Sequence, residues 1–389
     1  MDRRLLAICN ARILPSPDLP PIRDGTVLVR DGRIEEVGTE VRVPNGAEVI
    51  TGRGSTVTAG FWNAHVHFTE PKWNAPARTP PATLESHLRE MLTSRGFSTV
   101  VDTGSDPRVT LVLRERIRSG AVVGPTIYTA GTGLYPPRGI PYYLRESIPF
   151  WWVPFIPQPS TPSAAERVVE RSVARGVDLV KLFTGSYVAR GRVKPMPAAV
   201  AAAAVRAAHR HGRLVFSHPS NLEGTQVAVD AGVDVLAHPP DTATGVDSSL
   251  LQRAVDRRMA MIPTLKMFET TVSADDAYLG PIRNVLREFR SLGGQVLFGT
   301  DVGYMTDYST DGEIRALARA GFDASAILRS LTTAPAERFG VGAATGTITP
   351  GKSADLVVLD GDPLEDVAAF GRVRATVRRG QLVWSKEVP

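Results

Sequence analysis

Four of the seven histidines in the chain, one lysine and one aspartate stand at or near the ends of short apolar runs. His65 and His67 lie near the end of TAGFWNAHVHF, Lys181 interrupts DLVKLF, His218 ends RLVFSH, His238 ends VDVLAH and Asp301 ends QVLFGTD. Side chains alternate between the two faces of a strand, so His65 and His67 point the same way. Two imidazoles so placed can grip a divalent metal, for which imidazole and carboxylate are apt ligands. His-x-His alone is weak, and taken singly His218 or His238 fits a hydrogen-bonded core histidine and Asp301 a turn residue or helix cap. The set as a whole reads differently, because buried polar groups without partners are costly and convergence points to shared coordination. Lys181 is the least ordinary member: an ammonium between Val180 and Leu182 must find a counter-charge, shift its pKa or be chemically altered. A lysine carbamate, formed with CO2, would supply two oxygens that bridge a pair of ions. His209 and His211 in AAHRHG share the spacing of the first pair but fall at a helix C-terminus, and His87 in LESHLRE reads as a helix-surface residue.

The elements that must position these groups follow from the pattern between Phe61 and about Gly340. Apolar strands (the His65 strand, FSTVVD, TIYTAG, VDLVKLF, RLVFSH, VDVLAH, MAMIPTL, QVLFGTD) alternate there with amphipathic helices such as PAAVAAAAVRAAHRHG. Eight strands in such alternation predict an α/β chain folded as a (β/α)8 TIM barrel, with a doubly wound open sheet as the alternative. A barrel gathers the C-terminal ends of its strands at one mouth, which is where the six residues stand. Residues 1–57 and 341–389 read instead as short strands and turns, including an Asp31-Gly32 hairpin signal, and predict a small β-sandwich built from both termini beside a 58–340 barrel domain.

Composition narrows the class. A chain of 389 residues with 43% apolar residues can bury a large core. Its 45 basic and 40 acidic residues give a net charge of +5, with the arginines scattered rather than blocked, so nucleic acid is not an expected partner. A single cysteine, Cys9, excludes an internal disulfide framework and suits a reducing compartment. No run reaches about 18 apolar residues, and the opening MDRRLLAICNARIL lacks a cleavage pattern, so no membrane association is expected. The expectation is a cytoplasmic homo-oligomer acting on a small-molecule substrate.

In order along the chain, His65-x-His67, Lys181, His218, His238 and Asp301 resemble the metal-dependent amidohydrolase superfamily. TAGFWNAHVH is similar to that family's entry into the barrel, AGVDVLAHP to its sixth strand and GKSADLVVLDGDPLEDV to its closing segment, so the resemblance covers nearly the whole chain. Barrel plus sandwich is most like the imidazolonepropionase-like and prolidase-like branch. The resemblance implies two divalent ions, zinc being the expected metal: His65, His67 and Asp301 would hold one, and His218 and His238 the other. Carboxylated Lys181 and a hydroxide would bridge them, and Asp301 would pass a proton from the attacking hydroxide to the leaving nitrogen. The implied activity is hydrolysis of an amide or related C–N bond of a small, partly apolar substrate.

Departures from the family refine this. Deaminases of the superfamily place a glutamate three residues after the fifth-strand histidine and lack the bridging lysine; here Asn221 stands there and Lys181 is present. Dipeptide-cleaving members carry a tyrosine shortly after that histidine, where this chain has Ser220, which weakens a dipeptidase assignment. A deaminase, a cyclic-imide hydrolase and a catalytically silent scaffold remain as alternatives. The segment 135–162 alternates aromatic residues with prolines and reads as a lid over the mouth or a subunit interface. Trp62, Tyr187 and Lys266 are candidate substrate contacts, Lys266 for a carboxylate.

Overall fold

Parallel pairing joins Phe61–Val66, Phe97–Asp102 and Thr126–Thr129 in one run of three strands. A second run, in chain order, joins Leu179–Phe183, Leu214–His218, Val235–Leu236, Ala260–Met261 and Gln295–Val296. The structure is a computed structural model that describes residues 5–146, 148 and 150–386. Backbone bonds link the two runs at both ends. Leu134 donates to the Lys181 carbonyl at 2.8 Å and Phe183 to that of Leu134 at 2.9 Å, which ties the third strand's extension to the fourth. Ala64 donates to Phe298 at 2.7 Å and Asp301 to His65 at 2.9 Å, which ties the eighth strand's extension to the first. The eight parallel strands thus close on themselves in a TIM-barrel-type α/β fold.

Side-chain alternation sorts the strand residues into two apolar groups. Trp62, Ala64, Val101, Leu179, Phe216, Val235, Ala260 and Leu297 fill the inside of the ring. Phe61, Val66, Val100, Val180, Leu182, Val215 and Phe298 face outward against the helices. On the fourth strand Leu179 is inside and Val180 outside, so Lys181 returns to the inside, one layer nearer the mouth. The helices are built to cover the outer group. Ala198–Arg210 is rich in alanine, the best helix former, and buries Val200, Ala201, Ala204, Val205 and Ala208 at helical spacing before Gly212 turns the chain with φ 63°.

Strands from both chain ends lie in a single eight-stranded sheet. Its path runs Gln381–Ser385, Val373–Arg378, Leu356–Asp360, Ser55–Ala59, Leu5–Ile13, Ile22–Arg30, Arg33–Gly38, with Glu48–Thr51 also paired to Leu5–Ile13. The Asp31-Gly32 turn joins two of these strands with positive φ at both central residues, 49° and 81°, the geometry that a two-residue hairpin needs. Residues 1–4 and 387–389, included in the segments expected to form the terminal sandwich, lie outside the described residues.

Trp62 packs within the inner group, 5.6 Å from the Tyr128 ring and 5.5 Å from that of Phe339, and is 1% exposed. It belongs to the floor of the barrel. Trp62→Ala should therefore cost about 3–5 kcal/mol of stability, as large aromatic truncations in a core do. Urea unfolding of the metal-free protein measures this, and a loss below about 1 kcal/mol would place the indole in a less demanding site.

Candidate active site

The six residues meet at the mouth of the ring. Asp301 Oδ1 lies 3.0 Å from His67 Nε2 and 3.5 Å from His65 Nε2, and its Oδ2 lies 3.7 Å from His238 Nε2. The His65 and His238 rings are 4.7 Å apart and those of His238 and His218 are 4.8 Å apart, so the imidazoles form one continuous group. Lys181 Nζ sits beside the Phe183 ring, which stacks on His218. His65, Lys181, His218, His238 and Asp301 are all buried.

Local backbone features bring them there. Trp62 and Ala64 face inward while Val66 faces outward, so simple alternation is broken between them. A register shift between Asn63 and Val66 turns the strand and carries His65 and His67 into the mouth. Asn63 fastens this bend: its amide donates to Thr300 Oγ1 at 2.6 Å, and its oxygen accepts from His65 N and Thr300 N at 3.2 Å each. Asp301 itself has φ 59° and Thr264, the hydroxyl partner of His238, has φ 43°; such left-handed conformations cluster at functional sites. Gly303 has φ 97°, and a Cβ there would fall 1.8 Å from the His67 carbonyl oxygen, so no other residue fits.

The donor atoms fit a metal. His67 Nδ1–H donates to the Gly104 carbonyl at 2.8 Å, which turns Nε2 toward Asp301; burial lowers this imidazole's pKa, but the hydrogen bond and charge of Asp301 outweigh it and raise the pKa above its usual value. His238 Nδ1 is paired with Thr264 Oγ1 at 2.6 Å, again leaving Nε2 toward the centre. His218 Nε2 is buried with no hydrogen-bond partner, the costly condition that an ion relieves. Ligand atoms of His65, His238 and Asp301 all lie within 4.8 Å of one another. Burial, reinforced by the positive charge of Lys181, holds His65 well below the usual imidazole range; burial and then His218 and Lys181 do the same for His238. His218 is pushed down to about 3 by burial, with Lys181 adding to it. Burial also lowers Lys181, to about 7, against the pull of Asp301.

Several contributors escaped sequence reasoning. Asp102, at the end of the second strand, accepts from Ser105 Oγ at 2.5 Å and from Thr129 Oγ1 at 2.6 Å, and so shapes the turn that presents Gly104 to His67. A polar residue ending an apolar strand was its only signal. Asp241, three residues beyond His238, has a buried Oδ1 without a partner, and burial followed by the charge of Asp301 raises its carboxyl to about 7. A hairpin, Gly185–Ala189 with Arg192–Pro195, follows the fourth strand and carries Tyr187, whose hydroxyl is 3.5 Å from Thr242 Oγ1 at the mouth.

Two expected substrate contacts are placed elsewhere. Trp62 lies in the barrel floor, shielded from the mouth by packing on Tyr128 and Phe339. Lys266 is not free to meet a substrate carboxylate, because its ammonium binds the Asp307 carboxylate at 2.6 Å and the Ser309 carbonyl at 2.7 Å. Asn221, at the position of the deaminase glutamate, is a helix cap whose side chain accepts from Gly224 N at 2.9 Å. Within segment 135–162, Tyr143 packs 5.8 Å from Tyr304, three residues after Asp301, whereas Phe150 and Phe155 are 81% and 76% exposed. Ser147 and Pro149 of that segment lie outside the described residues.

The Amidohydrolase family profile matches residues 56–383. The chain belongs to the amidohydrolase family. Ochratoxinase from Aspergillus niger is 22% identical over 419 residues, covering 96% of this chain and 85% of that protein. Among solved structures, a Xaa-Pro dipeptidase with bound methionine superposes with a TM-score of 0.82 at 22% identity, over 98% of this chain and 100% of the other. A molinate hydrolase superposes with a TM-score of 0.80 at 19% identity, over 98% and 95%. In fold the chain is similar to prolidase-like enzymes, and as an amidohydrolase it is a hydrolase of carbon–nitrogen bonds.

Glu313 stands against the backbone of Lys266: its Oε2 accepts from Lys266 N at 2.7 Å while Oε1 is buried and unpaired. Burial raises its carboxyl to about 7, above the ordinary 4.5. The folded state therefore keeps this proton longer than the unfolded one, so stability falls as pH rises from about 4.5 through 7. Glu313→Gln should remove that loss: relative to the parent, its melting temperature should improve between pH 5 and pH 8. Thermal melts at the two pH values decide it, and a constant difference would show that Glu313 does not ionise in this window.

Proposed function

We propose that the chain is a binuclear metal-dependent amidohydrolase that cleaves an amide or related C–N bond of a small, partly apolar substrate. The observation that supports this best is the convergence of four imidazoles, Lys181 and Asp301 at one barrel mouth, with His218 Nε2 left without a partner. His65, His67 and Asp301 would hold one ion, His218 and His238 the second, and carboxylated Lys181 would join the two; zinc suits this donor set. When bound, the ions supply an acidified water and polarise the scissile carbonyl.

The chain's own residues do the rest. Lys181 is suited to its modification because burial brings its pKa to about 7, so a sizeable fraction is free amine at neutral pH. That amine adds to CO2, forming an N–C bond and releasing one proton, and gives a carbamate anion in place of a buried cation. Asp301 is the only carboxylate among the six, and it is held by its backbone bond to His65 and the left-handed turn that follows. It accepts the proton of the attacking water and delivers it to the leaving nitrogen. Hydrolysis is favoured over deamination because Asn221, engaged as a helix cap, leaves no acid at the deaminase position. The tyrosine-lined mouth, Tyr187 included, fits a partly apolar substrate. Residues 1–57 and 341–389 are read as one small β domain framing a 58–340 barrel.

Purified without chelators, the protein should carry about two divalent ions per chain, since six such ligands exceed what one zinc needs. Lys181→Ala should lose at least one ion and most activity, with partial rescue by acetate or propionate; Lys181→Arg should not be rescued, because a guanidinium forms no carbamate. Elemental analysis settles the count, and a stoichiometry fixed at one after zinc loading would remove the bridging role of Lys181.

Asp301→Asn should lose turnover by about 10²–10⁴-fold while retaining most of its metal, because the amide still offers an oxygen but cannot carry the proton. Activity is read on zinc-loaded protein with bicarbonate against N-acyl amino acids, dipeptides, carbamates, lactams and aryl amides. Parental activity in the variant would assign the base elsewhere.

A further inference from the structure

We infer that the mouth of the barrel carries a cation-binding subsite centred on Asp241, which takes the ammonium end of a small substrate; its role in substrate choice rests on the hydrolase reading above. Asp241 follows His238 by way of Pro239 and Pro240, two residues that stiffen the loop. Thr242 N donates to the Ser220 carbonyl at 3.1 Å and so pins this loop to the end of the fifth strand. The carboxylate is thus fixed beside the proposed metal ligands without belonging to the His65, His238, Asp301 cluster.

Three observations point to a cationic ligand. First, Asp241 Oδ1 is buried and unpaired, a condition that costs stability until a donor arrives from outside. Second, tyrosines from four different segments share the mouth with it: Tyr143, Tyr187, Tyr278 and Tyr304 all lie within range of its charge. Tyr187 approaches Thr242, Tyr143 packs on Tyr304, and Tyr278 packs on Phe268, itself 5.9 Å from His238. A carboxylate with aromatic rings in the same pocket favours a cation. Third, the lysine that would have met a substrate carboxylate, Lys266, is committed to Asp307. Asp241 thus offers the cationic end of a substrate a partner that Lys266 does not offer an anionic one.

The test compares cationic probes with neutral ones of the same shape: choline against 3,3-dimethylbutan-1-ol, and benzylammonium against benzyl alcohol. Binding to the purified full chain is measured by calorimetry, with metal content determined on the same sample. At least one cation should bind about tenfold more tightly than its neutral counterpart, as charge-assisted and cation–π contacts imply. Asp241→Asn should abolish that preference while leaving metal content unchanged. Equal binding within both pairs, or no binding by either cation, overturns the subsite, and this is decided on the unmodified chain even if the variant fails to fold. Metal-loaded protein without a cation preference would reject the subsite and leave the hydrolase reading standing. Metal-free protein that keeps the preference would support the subsite and count against the hydrolase reading.

Discussion

Three backbone hydrogen bonds stitch the first barrel strand to the segment after the eighth: Ala64 to Phe298, Asp301 to His65 and His67 to Val302. Every other feature of the site depends on this junction. It closes the ring, and the same bonds place the Asp301 carboxylate against the imidazoles of His65 and His67, which are 234 or more positions away in sequence. Gly303 makes the approach possible, since any side chain there would collide with the His67 carbonyl. Asn63 and Thr300 brace it from below. Ring closure and site assembly are one event, so a chain that fails to close has no site.

The junction gathers groups that destabilise one another. Three imidazoles, those of His65, His218 and His238, held neutral by burial, a lysine pulled toward neutrality and a buried carboxylate occupy a space where apolar packing would cost less. The surrounding packing offsets this. Trp62, Tyr128 and Phe339 fill the floor directly beneath, and the outward strand faces are covered by apolar helix faces. Left-handed backbone at Ser220, Thr264 and Asp301, just beyond the fifth, seventh and eighth strands, adds strain at the same mouth. Such strain persists only where the scaffold over-determines it, and the site supplies both the strain and the polar groups that need enclosing.

The strand ends were legible because each ends an apolar run with one chemically distinctive residue, and a parallel barrel leaves only one place for such residues to meet. The terminal hairpin at Asp31-Gly32 was legible for a local reason, the demand for positive φ at two successive residues. What was not legible depended on bends and side-chain commitments. Alternation correctly puts His65 and His67 on a common face, but the register shift that decides which face is a tertiary effect of Asn63. Lys266 looked available because the sequence does not show that Asp307 and Ser309 fold back over it. Trp62 looked close to the chemistry because it is close in sequence; one strand layer separates the barrel floor from the mouth. Asp241 was passed over because a lone acid after two prolines resembles any loop, until its unpaired oxygen is seen.

The terminal sheet is coupled to the same junction. Ser55–Ala59 pairs with Leu356–Asp360 from the other end of the chain and continues through Gly60 into the strand that carries His65. Gly60 donates to the Asp355 carbonyl at 2.7 Å, and a Cβ there would fall 2.3 Å from Ser98 Oγ on the second barrel strand, so the passage between sheet and barrel has no slack. The backbone from Ser55 to Val66 is paired along most of its length, first with a C-terminal strand and then with the second and eighth barrel strands. A displacement at one end of such a stretch is transmitted to the other, because close-packed interiors do not absorb it locally. The two terminal strand groups thus act on the position of His65 through covalent continuity and sheet pairing, although among the described residues neither contributes a side chain to the site.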